Sequence, residues 1–140
     1  MTSVLFVETT ASWMETRACE IAEHLYAKGG SLQVIAVDDE QADRLDDLLW
    51  TFKPDSFIPH GISTGAADEV EQPVVITTKK ERLKKINVLL MMDCLETGLV
   101  KQFSYAVHLI VVDNSERLAA SRSYWAQLKE AGFMLRHQKR

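Results

Sequence analysis

Much of the equipment that usually announces a function is missing from this chain. Cysteine is scarce: Cys19 and Cys94 are the only two in 140 residues, too few for a disulfide framework, so a reduced, cytoplasmic setting is expected. No apolar run approaches the ~20 residues needed to span a bilayer, and MTSVLFVETT lacks the basic start and small-residue cleavage site of a secretory signal. The four histidines, His24, His60, His108 and His137, are scattered, and none has metal-ligand spacing with a cysteine. No metal or cofactor is expected. Glycine is absent from ETTASW, the connection between the first expected strand and helix, which has neither G-x-G-x-x-G nor the GK[ST] of a P-loop. Without it the backbone cannot approach a pyrophosphate closely.

Other candidates for chemistry fail on order or context. The string GISTG at 61–65 has a nucleophile motif's residues in the wrong order and reads as a turn. Cys19 lies among apolar helical neighbours and reads as inert packing. The pairs Asp38-Asp39 and Asp46-Asp47 are adjacent in sequence, so their members diverge; helix-start charge and a solvated face explain them better than acid/base work. Catalysis is not expected.

What is present suits one domain, residues 1–140, with hydrophobic residues at 46% and charged residues at 26%. The net charge of −4 hides an imbalance. Residues 1–70 hold 13 acidic and 4 basic side chains, a net of −9; residues 71–140 hold 7 and 12, a net of +5. That asymmetry points to an anionic partner for the C-terminal half. A pI near 5.5 argues against a dedicated DNA binder, which leaves an acidic peptide as the other candidate. The basic run Lys79, Lys80, Arg82, Lys84, Lys85 reads either as a phosphate contact or as a solvated connection.

Apolar strands are expected at Ser3 to Glu8, Leu32 to Val37, Pro73 to Thr77, Ile86 to Met92 and Ala106 to Val112. Helices are expected at Trp13 to Lys28 (Ser12 as N-cap, Gly29-Gly30 as stop), Asp38 to Trp50, and Asn114 or Ser115 to Glu130, stopped by Gly132. Ser63 to Gln72 reads as a surface loop. Continuous apolar strands alternating with helices imply a mostly parallel sheet with helices on both faces.

Two stretches stand out. In RLDDLLWTFKPDSFIPHG, residues 44–61, Leu45, Leu48 and Leu49 form a helical buried face that Pro54 must end. Trp50, Phe52, Phe57 and Ile58 then fall at or past the helix end, as an interface or as a loop folded under the core. In the last helix, Leu118, Arg122, Trp125 and Lys129 share one face at ~100° per residue. An aromatic, an aliphatic and two cations there suit a short peptide with an apolar end and carboxylates. Packing of Leu118 and Trp125 on the sheet, with both cations reaching water, is the alternative.

The 44–61 block, CEIAE at 19–23 and the closing AGF at 131–133 resemble the chi subunit of bacterial DNA polymerase III holoenzyme across essentially the whole chain. The resemblance implies a Rossmann-like fold without nucleotide chemistry and a non-catalytic accessory role at the bacterial replisome. The expected partners are the psi subunit, which tethers chi to the clamp loader, and the acidic C-terminal tail of single-stranded DNA-binding protein. It assigns Trp50, Phe57 and Pro59 to the psi surface, which Phe52 and Ile58 extend. It assigns Val111, Arg122, Trp125, Gly132 and Leu135 to the tail site, and the helix-face reading adds Lys129. Two positions depart from the family pattern: Trp125 stands where Tyr is frequent, and Ala126 stands where some members carry Lys. Lys129 or Arg136 is left to supply that cation. An enzyme with an atypical nucleotide loop, or direct nucleic-acid binding through Lys79 to Lys85, are the competing readings.

Overall fold

The apolar strands assemble into one sheet of seven in a computed structural model that describes residues 1–63, 72–83 and 85–139. In chain order the elements are β1 (Ser3–Thr9), a 3-10 turn (Ala11–Trp13), α1 (Met14–Ala27), β2 (Leu32–Ile35), α2 (Asp39–Thr51) and β3 (His60–Ile62). There follow β4 (Val74–Thr77), β5 (Val88–Met91), α3 (Thr97–Val100), β6 (Tyr105–Val111), α4 (Ser115–Glu130) and β7 (Met134–Gln138). The sheet order is β3-β4-β2-β5-β6-β1-β7, and each pairing is parallel. This is the α/β arrangement that the alternation implies and the Rossmann-like fold that the resemblance implies.

Side chains alternate across the strands, so two cores form. Val7, Leu32, Val34, Ile76, Leu90 and Val107 pack with Ala18, Ala22, Leu45 and Leu49 of α1 and α2. Val4, Phe6, Leu89, Met91, Ala106 and Ile110 pack with Leu99, Tyr124 and Leu128 of α3 and α4. On this second face Ile35 of β2 and Val75 of β4 share the core with Leu83 and Ile86 of the β4–β5 connection. Buried Gln33 holds it there, donating to Glu81 O at 2.8 Å and accepting from Leu83 N at 2.9 Å. Arg82 donates to Ile86 O and Asn87 Oδ1, both at 2.8 Å. The basic run is thus built into the fold at Arg82, while Lys84 lies outside the described residues.

Helix ends follow their local chemistry with one correction. Asp38 Oδ1 caps α2 by accepting from Gln41 N, and Asn114 Oδ1 caps α4 by accepting from Arg117 N. Gly29 and Gly132 end α1 and α4 at φ +86 and +91, a region open to glycine. Ser12 does not cap α1: it sits inside the 3-10 turn, and Trp13 occupies the cap position with no side-chain bond. The strands β3 and β7 and the one-turn α3 are additions to the sequence-based elements. The stretch expected as a loop over 63–72 lies outside the described residues from 64 to 71, as do the last two positions of GISTG; Gly61 and Ile62 belong to β3.

Candidate interaction surfaces

The first surface forms where α2 stops. Trp50 is 53% and Phe57 67% exposed, and their rings meet at 5.7 Å between centroids. Behind them His60 is buried, its ring 4.7 Å from that of Trp50. Its Nδ1 lies 2.7 Å from Ile58 O, and Nε2 lies 3.1 Å from Asp46 O and 3.2 Å from Asp46 Oδ1. That clamp turns the chain after Pro59 into β3 and drives Ile58 inward. Ile58, expected on the surface, is 1% exposed and belongs to the core. Phe52 is half-buried against the same core, and Pro59 is half-buried. The loop is also tied to α1, because Lys53 reaches Glu23 at 3.3 Å. A hydrogen bond from Ser56, then Lys53, holds the Glu23 carboxyl below its ordinary value.

The second surface lies on the opposite face of the sheet, where α4 crosses β6, β1 and β7. A cavity of about 420 Å³ is lined by Phe6, Ile110, Val112, Leu118 and Trp125, with Glu8, Ser121, Arg122 and His137 as its polar members. Trp125 stands edge-on to Phe6 at 5.0 Å, which fixes the aromatic wall. Arg122 is exposed and its guanidinium has no partner among the described residues. Below the cavity Ser121 Oγ lies 2.9 Å from Nε2 of buried His108. Desolvation pushes the His108 imidazole down to about 4.

Of the residues expected at this site, Arg122 and Trp125 line the cavity together. Val111 does not: it is buried in the α1/α2 core, because one step along β6 reverses the face. Its neighbours Ile110 and Val112 take that place. Lys129 is exposed on α4 outside the lining, and Gly132 borders a separate recess with Thr2, Lys101 and Phe133. Leu135 packs half-buried beside the α3/α4 core. Arg136 points to the other face of β7, opposite Leu5. Glu8 and His137 were invisible as site residues, because only β7 brings His137 beside β1. A broader groove of about 1210 Å³ runs between α1 and the β1–β6 strands, reaching Phe57; no sequence pattern marked it.

Elsewhere the geometry offers little reactivity. Burial pushes the Cys19 thiol up to about 12 and that of Cys94 up to about 11, which suppresses thiolate. At the carboxyl ends of β1 and β6, where such sheets bind dinucleotides, Ala11 N donates to Asp113 Oδ1 at 2.9 Å and ties the two connections together. Among the described residues no group of three or more His, Cys, Asp or Glu could hold a metal ion, and no helix is long and apolar enough to cross a membrane.

Residues 1–136 match the family described as DNA polymerase III chi subunit, HolC. The chain belongs to this family. DNA polymerase III subunit chi of Pseudomonas aeruginosa is 29% identical over 118 residues, covering 84% of this chain and 80% of that protein. The chi subunit of Escherichia coli K12 is 28% identical over 125 residues, covering 89% and 84%. Two solved structures share the fold at low identity. T4 UvsW aligns with a TM-score of 0.72 at 9% identity, covering 99% of this chain and 41% of that one. The C-terminal domain of S. cerevisiae Dbp5 aligns at 0.64 and 13%, covering 98% and 90%. As a chi-family member the chain is a replication accessory subunit of bacterial DNA polymerase III.

Proposed function

We propose that this chi-family chain works by adhesion at two surfaces, joining the psi subunit at one and the acidic C-terminal tail of single-stranded DNA-binding protein at the other. It catalyses nothing itself. In this reading it links the replicase to coated single-stranded DNA, in the cytoplasm at the replisome. The Trp50–Phe57 patch takes psi, with Phe52 and Pro59 at its margin. The observation that carries the tail assignment is the cavity beside α4, where an aromatic wall and an unpaired guanidinium face the same space. An apolar terminal side chain fits against Phe6, Leu118 and Trp125, while Arg122 holds a carboxylate in bidentate fashion.

The test is a fluorescence titration of a labelled peptide carrying that acidic terminus, against the wild-type chain and Arg122→Ala. Loss of the Arg122 guanidinium should weaken binding roughly tenfold or more, in the range of charge-assisted hydrogen bonds. Near wild-type affinity of the variant at moderate salt would refute the assignment. Bare oligonucleotide should bind weakly in the same assay; steeply salt-dependent binding would favour direct phosphate contact through Lys79 and its neighbours instead.

A further inference from the structure

A carboxylate and an imidazole meet inside the α4 cavity. Glu8, near the end of β1, lines the cavity together with His137 of the edge strand β7. His137 Nε2 donates to Glu8 Oε2 at 2.7 Å. The two side chains are 43% and 23% exposed, so the pair adds little to folding stability. A carboxylate inside a pocket for an acidic ligand also opposes that ligand. The cations first expected beside Arg122 do not line the cavity: Lys129 lies outside it and Arg136 faces away. His137 is the basic group that is there.

We propose that His137 is the second basic ligand of the tail pocket, and that Glu8 is a built-in competitor which occupies it until an acidic peptide arrives. This rests on the tail-binding reading of the pocket. The charged and titratable groups lining the cavity are Glu8 from β1, His137 from β7 and Arg122 from α4. With His137 neutral, the Glu8 carboxylate offsets part of the pull of Arg122 on an anion. With His137 protonated the cavity gains a positive charge. An entering carboxylate then draws the Nε2–H away from Glu8, toward the space Arg122 also faces. Phe6, Ile110 and Trp125 wall the cavity with apolar surface, so the polar contacts open to an entering peptide are those of Arg122, His137 and Ser121, with Glu8 opposing. Glu8 thereby weakens tail binding, and acidity strengthens it.

Titrating the labelled acidic peptide against wild type, Glu8→Gln and His137→Gln tests this, at about pH 6 and about pH 8, the span over which an imidazole changes charge. Glu8→Gln keeps the shape and an acceptor for His137 while removing the charge. It should bind roughly two- to fivefold tighter than wild type at the higher pH, the range of a partly exposed charge pair. Wild type should bind more tightly at the lower pH, and His137→Gln should lose that dependence. A Glu8→Gln variant that binds no better than wild type, or a His137→Gln variant with the wild-type pH profile, overturns the inference while leaving the pocket assignment standing. Wild-type chain that fails to bind the peptide at either pH overturns both.

Discussion

Trp50 gives half of its surface to solvent while its ring is held from two sides, by Phe57 and by buried His60. An indole fixed in this way loses little entropy on docking, which is how aromatic anchors come to dominate an interface. Trp50→Ala should therefore weaken psi binding by about 2 kcal/mol or more in a calorimetric titration, while the melting temperature barely moves. Unchanged affinity in a folded variant would sink the psi assignment. Ile58, one residue past Phe57, plays a different part: the His60 clamp points it into the core. Alternation decides the matter again at the end of β6, where Val111 faces α1 and α2 while Ile110, and Val112 just past the strand, face α4.

Each helix that carries a surface is anchored at its start by one short acidic or amide side chain. Asp38 caps α2 at 2.8 Å from Gln41 N, and Gln41 in turn accepts from Val37 N at 2.9 Å. Bidentate contact of Arg44 with Glu15 then fastens α2 to α1, at 2.9 and 2.8 Å, and holds the Glu15 carboxyl below its ordinary value. Arg44 is exposed and Glu15 half-buried, so the pair and the cap both hold the start of α2. Asp38→Ala should cost about 1 kcal/mol in urea unfolding, with psi binding intact because Trp50 lies at the far end of the helix. A change below the precision of the denaturation curve would show that tertiary packing alone sets the start of α2.

Between the sheet and α4 a single buried imidazole makes the whole molecule sensitive to acid. The His108 ring packs at a tilt against Phe6 and Tyr124, with centroids 4.8 and 5.2 Å away, and its Nδ1 has no partner among the described residues. Burial favours the neutral ring, with a folded value of about 4, while an unfolded chain takes up its proton near 6.5. Above that pH the two states bind equally few protons. As pH falls toward 4 the unfolded chain is favoured, by up to about 3 kcal/mol. His108→Leu should flatten the acid branch of a stability–pH curve measured by urea midpoints, even if it is less stable at neutral pH through loss of the Ser121 bond. An acid branch as steep as that of wild type would place the sensitivity elsewhere.

The sequence by itself determined the parallel sheet, the three long helices and their stops, because continuous apolar runs, 3.6-residue periodicity and Gly29 or Gly132 are local signals. It also marked Trp50, Phe57, Arg122 and Trp125, whose residue types are conspicuous where they stand. The edge strands were not legible: HGI at β3 and MLRHQ at β7 are short and mostly polar, and pairing with β4 and β1 makes them strands. Which aromatic stays outside, which residue of β6 faces α4, and which basic side chain shares a cavity with Arg122 were decided by tertiary structure. Those outcomes depend on strand parity and on contacts across more than a hundred residues, such as Glu8 with His137. No local pattern encodes such a distance.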